Sequence, residues 1–100
     1  MKLTQNRIAA SDSTGVTFPR LECWNSMTKI ATIAAQVSKQ RVLCRISQKT
    51  LRNKFGATKE EPMQAVAQHR MEIQEAAKRL IENGSYEADG SVLILDHHIL

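Results

Sequence analysis

Aromatic side chains are scarce in this chain: Phe18, Trp24, Phe55 and Tyr86 are the whole supply in 100 residues. A surface that holds nucleic acid by stacking successive bases needs several rings in series, so the shortage counts against that mechanism. Cysteine is also sparse, with only Cys23 and Cys44 present. There is no signal-peptide pattern and no apolar run approaching the roughly 18 residues of a membrane span. These features together predict a reduced, cytoplasmic protein with no membrane association. Two free thiols are favoured over a Cys23–Cys44 disulfide, with Cys44 acting as a small core residue. Acidic residues are missing altogether from positions 23–59, while that stretch carries Lys29, Lys39, Arg41, Arg45, Lys49, Arg52, Lys54 and Lys59.

What is present begins with that basic middle. It carries a charge of +8, against +1 for residues 1–22 and −5 for residues 60–100, within a total of +4. Asymmetry of this size in one small domain raises the expectation of an anionic partner. At 100 residues and 42% hydrophobic content the chain is long enough for one core and no second domain. Residues 1–14 are polar and without periodicity, so a loose N-terminal segment is expected there, followed by a single domain over 15–100.

Val16, Thr17 and Phe18, stopped by Pro19, predict a short first strand. Arg20 to Met27 is expected to be a loop, with Trp24 a partly buried lid on the core or, less favoured, a stacking platform. Thr28 to Val37 alternates in polarity and predicts a second strand. Arg41 to Ile46 alternates too, with Val42, Cys44 and Ile46 inward and Arg41, Leu43 and Arg45 outward. A two-residue turn at Ser38 and Lys39 would place Ala35, Ile33 and Ala31 opposite Val42, Cys44 and Ile46. A slip of one residue would bury both arginines, so this register is firmly specified. Outside, Gln36, Ala34 and Thr32 then face Arg41, Leu43 and Arg45, and the arginines frame a shallow, partly apolar floor. Lys39 is the weak point, because such turns favour glycine.

Ser47 reads as a helix N-cap. A helix of about two turns follows from Gln48, with Leu51 and Phe55 as its apolar edge and Gly56 as its left-handed stop. Pro62 suits the first turn of a second helix running from near Glu61 to Asn83. Val66, Ile73, Ala76, Ala77, Leu80 and Ile81 lie along one stripe of it. Ser91 to Leu95 is a final strand, apolar on both sides. The pattern β-β-β-α-α-β predicts an α+β domain: a small, mostly antiparallel sheet with one long amphipathic helix packed on one face.

The segments Val16 to Pro19, Trp24, Ala35 to Ser47, Thr50 to Ala57 and Ala67 to Ala77 resemble the bacterial family catalogued as domain of unknown function 1488. An opening Phe-Pro strand, a tryptophan loop, a hairpin ending in Cys-x-Ile-Ser, a Leu-x-x-x-Phe-Gly helix and an arginine three before an isoleucine carry the likeness over about residues 15–85. The resemblance implies the fold and supplies no activity.

Catalytic constellations are not apparent. His97 and His98 are adjacent and point apart on an extended chain, and His69 and Cys44 complete no metal-ligand spacing. Glu72 and Glu75 read as a solvated helix face, and no glycine-rich phosphate loop occurs. No enzyme activity, cofactor or metal is expected. His69 and Arg70 border the apolar stripe, where Arg70 is expected to lay its stem on the sheet and find a carboxylate or carbonyl or, less favoured, to anchor a partner.

Two functional classes remain. The first is a small non-catalytic interaction protein whose basic surface, Arg41, Arg45, Lys49, Arg52 and Lys54, docks on an acidic protein or a protein–nucleic acid assembly. Inhibitors or regulators of anti-CRISPR type belong to this class. The second is direct nucleic-acid binding by the same cations, with Trp24 or Phe18 stacking. Against both stands mutual neutralisation of the basic middle and the acidic helix.

Overall fold

A computed structural model describes residues 15–100; the segment 1–14, expected above to be loose, lies outside the described residues. The elements are β1 (Val16–Thr17), β2 (Glu22–Asn25), β3 (Ile30–Val37), β4 (Gln40–Ser47), α1 (Gln48–Phe55), α2 (Pro62–Gln68), α3 (Arg70–Glu82) and β5 (Val92–Ile94), with a 3-10 turn at Asp96–His98. The expected α+β architecture is present: one five-stranded, mostly antiparallel sheet with the helices against one face. β1 and β2 both pair with β3, β4 pairs with β3, and β5 joins β4 in parallel.

The hairpin has the register that apolar patterning dictates. Val37 faces Gln40, and Ala35, Ile33 and Ala31 face Val42, Cys44 and Ile46. Its turn places the left-handed residue at Ser38 (φ 57°), and Lys39 is spared that conformation. That arrangement of φ signs fits a type II′ turn, in which only the first central residue is positive. The inward residues of β3, β4 and β5 meet Leu51, Val66, Ile73, Ala76, Ala77, Leu80 and Ile81 from the helices in one core.

α1 has the ends predicted for it. Ser47 Oγ accepts a hydrogen bond from Thr50 N at 3.2 Å. At the other end Gly56 turns left-handed (φ 70°), and Gly56 N and Ala57 N donate back to the carbonyls of Arg52 and Leu51. Pro62 opens α2, where its missing N–H would have no helical partner in any case.

Two expectations need correction. The segment Arg20 to Met27 is not all loop, because Glu22 to Asn25 forms β2 against Ile30 to Ile33. Its alternation puts Glu22 and Trp24 on the core side, and an inward glutamate obscures a strand until its counter-ion is known. The long helix is also divided. His69, at φ −118° and ψ 30°, leaves helical geometry between α2 and α3. The apolar stripe has a gap there, from Val66 to Ile73, and polar side chains with other partners occupy it.

Candidate functional site

The sheet has two unlike faces. Beneath the helices lies the core; on the outer face β2, β3 and β4 present Cys23, Thr32, Ala34, Gln36, Arg41, Leu43 and Arg45. Leu21, Cys23, Thr32, Ala34, Arg41 and Leu43 line a shallow depression there of about 220 Å³. Ala34 is its floor, only 3% exposed although no helix covers it, because Leu21 and Leu43 stand beside it at about half exposure each. The partly apolar floor expected from the hairpin register is therefore present, framed by Arg41 but not by Arg45, with β2 supplying a wall that alternation alone did not reveal.

The five cations singled out above are not equivalent. Arg41 is exposed on the rim of the depression and makes no ion pair or side-chain hydrogen bond among the described residues. Arg45 shares its face but is committed: its Nη2 donates to Asp89 Oδ2 and to Ser91 Oγ, each at 2.8 Å, while its Nε is buried without a partner. Ser91 bonds the same carboxylate through N and Oγ, and these bonds, followed by the Arg45 charge, hold Asp89 below the usual carboxylate range. Arg45 thus fastens the segment before β5 to the sheet.

Lys49, Arg52 and Lys54 are exposed on α1. Arg52 and Lys54 lie in its last turn, where a positive charge favours the negative end of the helix dipole. Asp96 sits beside this helix. Hydrogen bonds from Asn53 and Thr50, then the charges of Lys49 and Lys54, lower its carboxyl pKa. The acids of α3 belong to the same helical layer as α1, away from the outer sheet face. Glu72 reaches His69, Glu75 reaches Arg79, and neither pairs with the sheet arginines. The acids of α3 therefore leave Arg41 without a counter-ion, while Asp89 stands against Arg45 and Asp96 beside α1.

Sequence reasoning placed Arg70 on the sheet with a carboxylate or carbonyl at its head. The partner is Glu22, held through two parallel bonds. His69, beside it, stacks on Phe55 with ring centroids 4.3 Å apart. Trp24 and Phe18 pack against the core from its margin. Trp24 faces inward with Ala31, on the side of the sheet away from Arg41. Among the described residues no group of three His, Cys, Asp or Glu side chains is arranged to hold a metal ion, and no helix is long and apolar enough to cross a membrane.

Comparison with known proteins agrees with this architecture. The family model described as protein of unknown function (DUF1488) matches residues 16–94. The match extends past the 15–85 expected from motifs and takes in β5. The uncharacterized protein YrdB of Escherichia coli K12 is 32% identical over 78 residues, covering 77% of this chain and 92% of that protein. YrdB of Shigella flexneri matches to the same extent. A crystal structure of a DUF1488 protein of unknown function from Shewanella loihica PV-4 superposes with a TM-score of 0.75 at 23% identity, covering 81% of this chain and 92% of that one. The chain belongs to the DUF1488 family.

Proposed function

We propose that this protein is a small non-catalytic interaction module that docks through its outer sheet face and α1 on an acidic protein surface or a protein–nucleic acid assembly, as an inhibitor or regulator. The observation that carries the reading is the set of exposed cations that no acid claims. Arg41, Lys49, Arg52 and Lys54 stand exposed without ion pairs among the described residues, and Glu72 and Glu75 of α3 pair with His69 and Arg79 instead. Arg41 also adjoins an apolar depression lined by Leu21, Ala34 and Leu43. Apolar contact area beside an unpaired guanidinium is the usual composition of an interface centre, where Arg is enriched and Lys is depleted.

Direct nucleic-acid binding draws on the same cations but finds only the ring of Tyr86 beside Arg41, since Trp24 and Phe18 pack on the core. Capture of partners from a bacterial lysate, with and without nuclease, separates the two. A protein partner retained after nuclease and lost with Arg41→Glu alone, as well as with Arg41→Glu plus Arg45→Glu, supports docking. Nuclease-sensitive retention that falls steeply with salt, for any sequence, supports nucleic acid. Partners that remain on the doubly substituted chain overturn this surface as the docking site.

A further inference from the structure

β4 is eight residues long, but β5 pairs only with Cys44 to Ile46. Because Val37 and Gln40 close a two-residue turn, Gln40, Val42, Cys44 and Ile46 exchange their backbone bonds with β3. Arg41, Leu43, Arg45 and Ser47 direct theirs to the other side. Two bonds outside the ladder agree with this phase: Gln48 N donates to Lys29 O, and Ala34 N donates to Leu21 O away from β4. The groups that Arg41, and the amide that Leu43, turn outward therefore lie where β5 does not reach.

Alongside this edge, open among the described residues, runs a trough of about 570 Å³, lined by Val37, Gln40, Arg41, Val42, Tyr86 and Gly90 together with Asp89. That volume falls within the roughly 300–1,000 Å³ typical of ligand sites. Its floor, Val37 and Val42, belongs to the core face, while Arg41 rises on the outer face. Asp89 is occupied by Arg45 and Ser91.

We propose that the β4 edge at Arg41–Leu43 takes an extended segment of an acidic partner as an added strand, continuing the line of β5. The proposal rests on the docking role of Arg41 given above and specifies its mode. Main-chain bonds would supply affinity, and alternate side chains would supply selectivity. An apolar side chain enters the trough over Val42 and Tyr86, and carboxylates on alternate positions meet Arg41. A second copy of this chain is the poorer occupant, since Lys39, Arg41 and Arg45 of two β4 edges would be brought together.

The test uses phage-displayed random peptides of about ten residues, enough to cover four residues of edge at ~3.3 Å each. The full chain is the bait, followed by amide exchange measured by NMR. Enriched peptides are expected to alternate apolar and acidic residues and to slow exchange at the Arg41 and Leu43 amides by about tenfold or more. Leu43→Pro removes the amide on the open side and is expected to weaken binding by about tenfold, with Leu43→Ala changing it by less than about threefold. If Leu43→Pro does not fold, protection in the unaltered chain decides. No enrichment, or peptides that leave both amides exchanging freely, overturns strand addition. Peptides of that last kind that still need Arg41 leave the docking surface standing, whereas binding unaffected by Arg41→Glu plus Arg45→Glu removes both. Protection of these amides by self-association alone assigns the edge to a second copy and overturns the proposal.

Discussion

Arg70 and Glu22, 48 positions apart, are joined by two bonds, Nε to Oε2 at 2.6 Å and Nη2 to Oε1 at 2.9 Å. Both side chains are largely shielded, at 25% and 20% exposure. The pair ties the first residue of α3 to β2, and so fixes both the break in the helical run and the strand at the sheet's margin. Bidentate geometry restricts the guanidinium in the way a single lysine contact could not.

Arg70→Ala leaves Glu22 without its counter-ion and is expected to destabilise the domain by about 1–2 kcal/mol, with Arg70→Lys recovering only part. For a chain of this length each kcal/mol corresponds to a fall in Tm of roughly 4–8 °C. Thermal unfolding of Arg70→Ala, Glu22→Gln and the double variant checks it. The pair is structural only if the double variant is more stable than the sum of the single losses predicts.

Acid should weaken the fold in two windows. His98 is held below its ordinary value of 6.5, first by burial and then by the charges of His97 and Arg79. The unfolded chain therefore takes up this proton at higher pH than the native one, so the His98 contribution is present above pH 6.5 and is lost as pH falls below it. His98 Nδ1 accepts the Leu95 amide at 2.9 Å, and protonation there removes the acceptor. Glu22 is lowered from 4.5, chiefly by its hydrogen bond from Arg70, so its contribution is lost only as pH falls through the lower folded value. Denaturant midpoints between pH 8 and pH 3 should show both declines, and His98→Asn should abolish the first.

The thiols should differ sharply. Cys23 is exposed on the outer sheet face, whereas Cys44 is buried on the inner face, where desolvation pushes its pKa up to about 12. Since the thiolate is the reactive form, a native protein treated with a thiol reagent should modify one cysteine, Cys23, and reach two only in denaturant. Two fast equivalents under native conditions would contradict this burial.

Arg41 and Arg45, neighbours on one face, should separate by stability. Arg45→Glu would set a carboxylate against Asp89 and release the segment before β5, lowering stability by roughly 1 kcal/mol or more, while Arg41→Glu stays within about 0.5 kcal/mol. Unfolding curves of the two single variants check this, and any loss of partner by Arg41→Glu can then be assigned to contact and not to misfolding.

Much of the fold was legible in local pattern. Alternation in Ile30–Val37 and Gln40–Ser47 specified the hairpin register, because a slip would have exchanged a row of apolar side chains for two arginines. Ser47 and Gly56 marked both ends of α1, since capping depends on residues within a turn of the cap. The outward direction of Arg41 and Arg45 followed from the same alternation.

What the chain alone determined was therefore whatever depends on neighbours in sequence: period, caps, turn position and the sign of charge along each segment. Tertiary structure decided which charges are spent and which edges stay open. Arg45 is fastened by Asp89, Glu22 is admitted to the core side of β2 by Arg70, and β5 pairs with only part of β4. Each of these joins residues far apart in sequence, whose meeting depends on how elements pack, and no local periodicity carries that information.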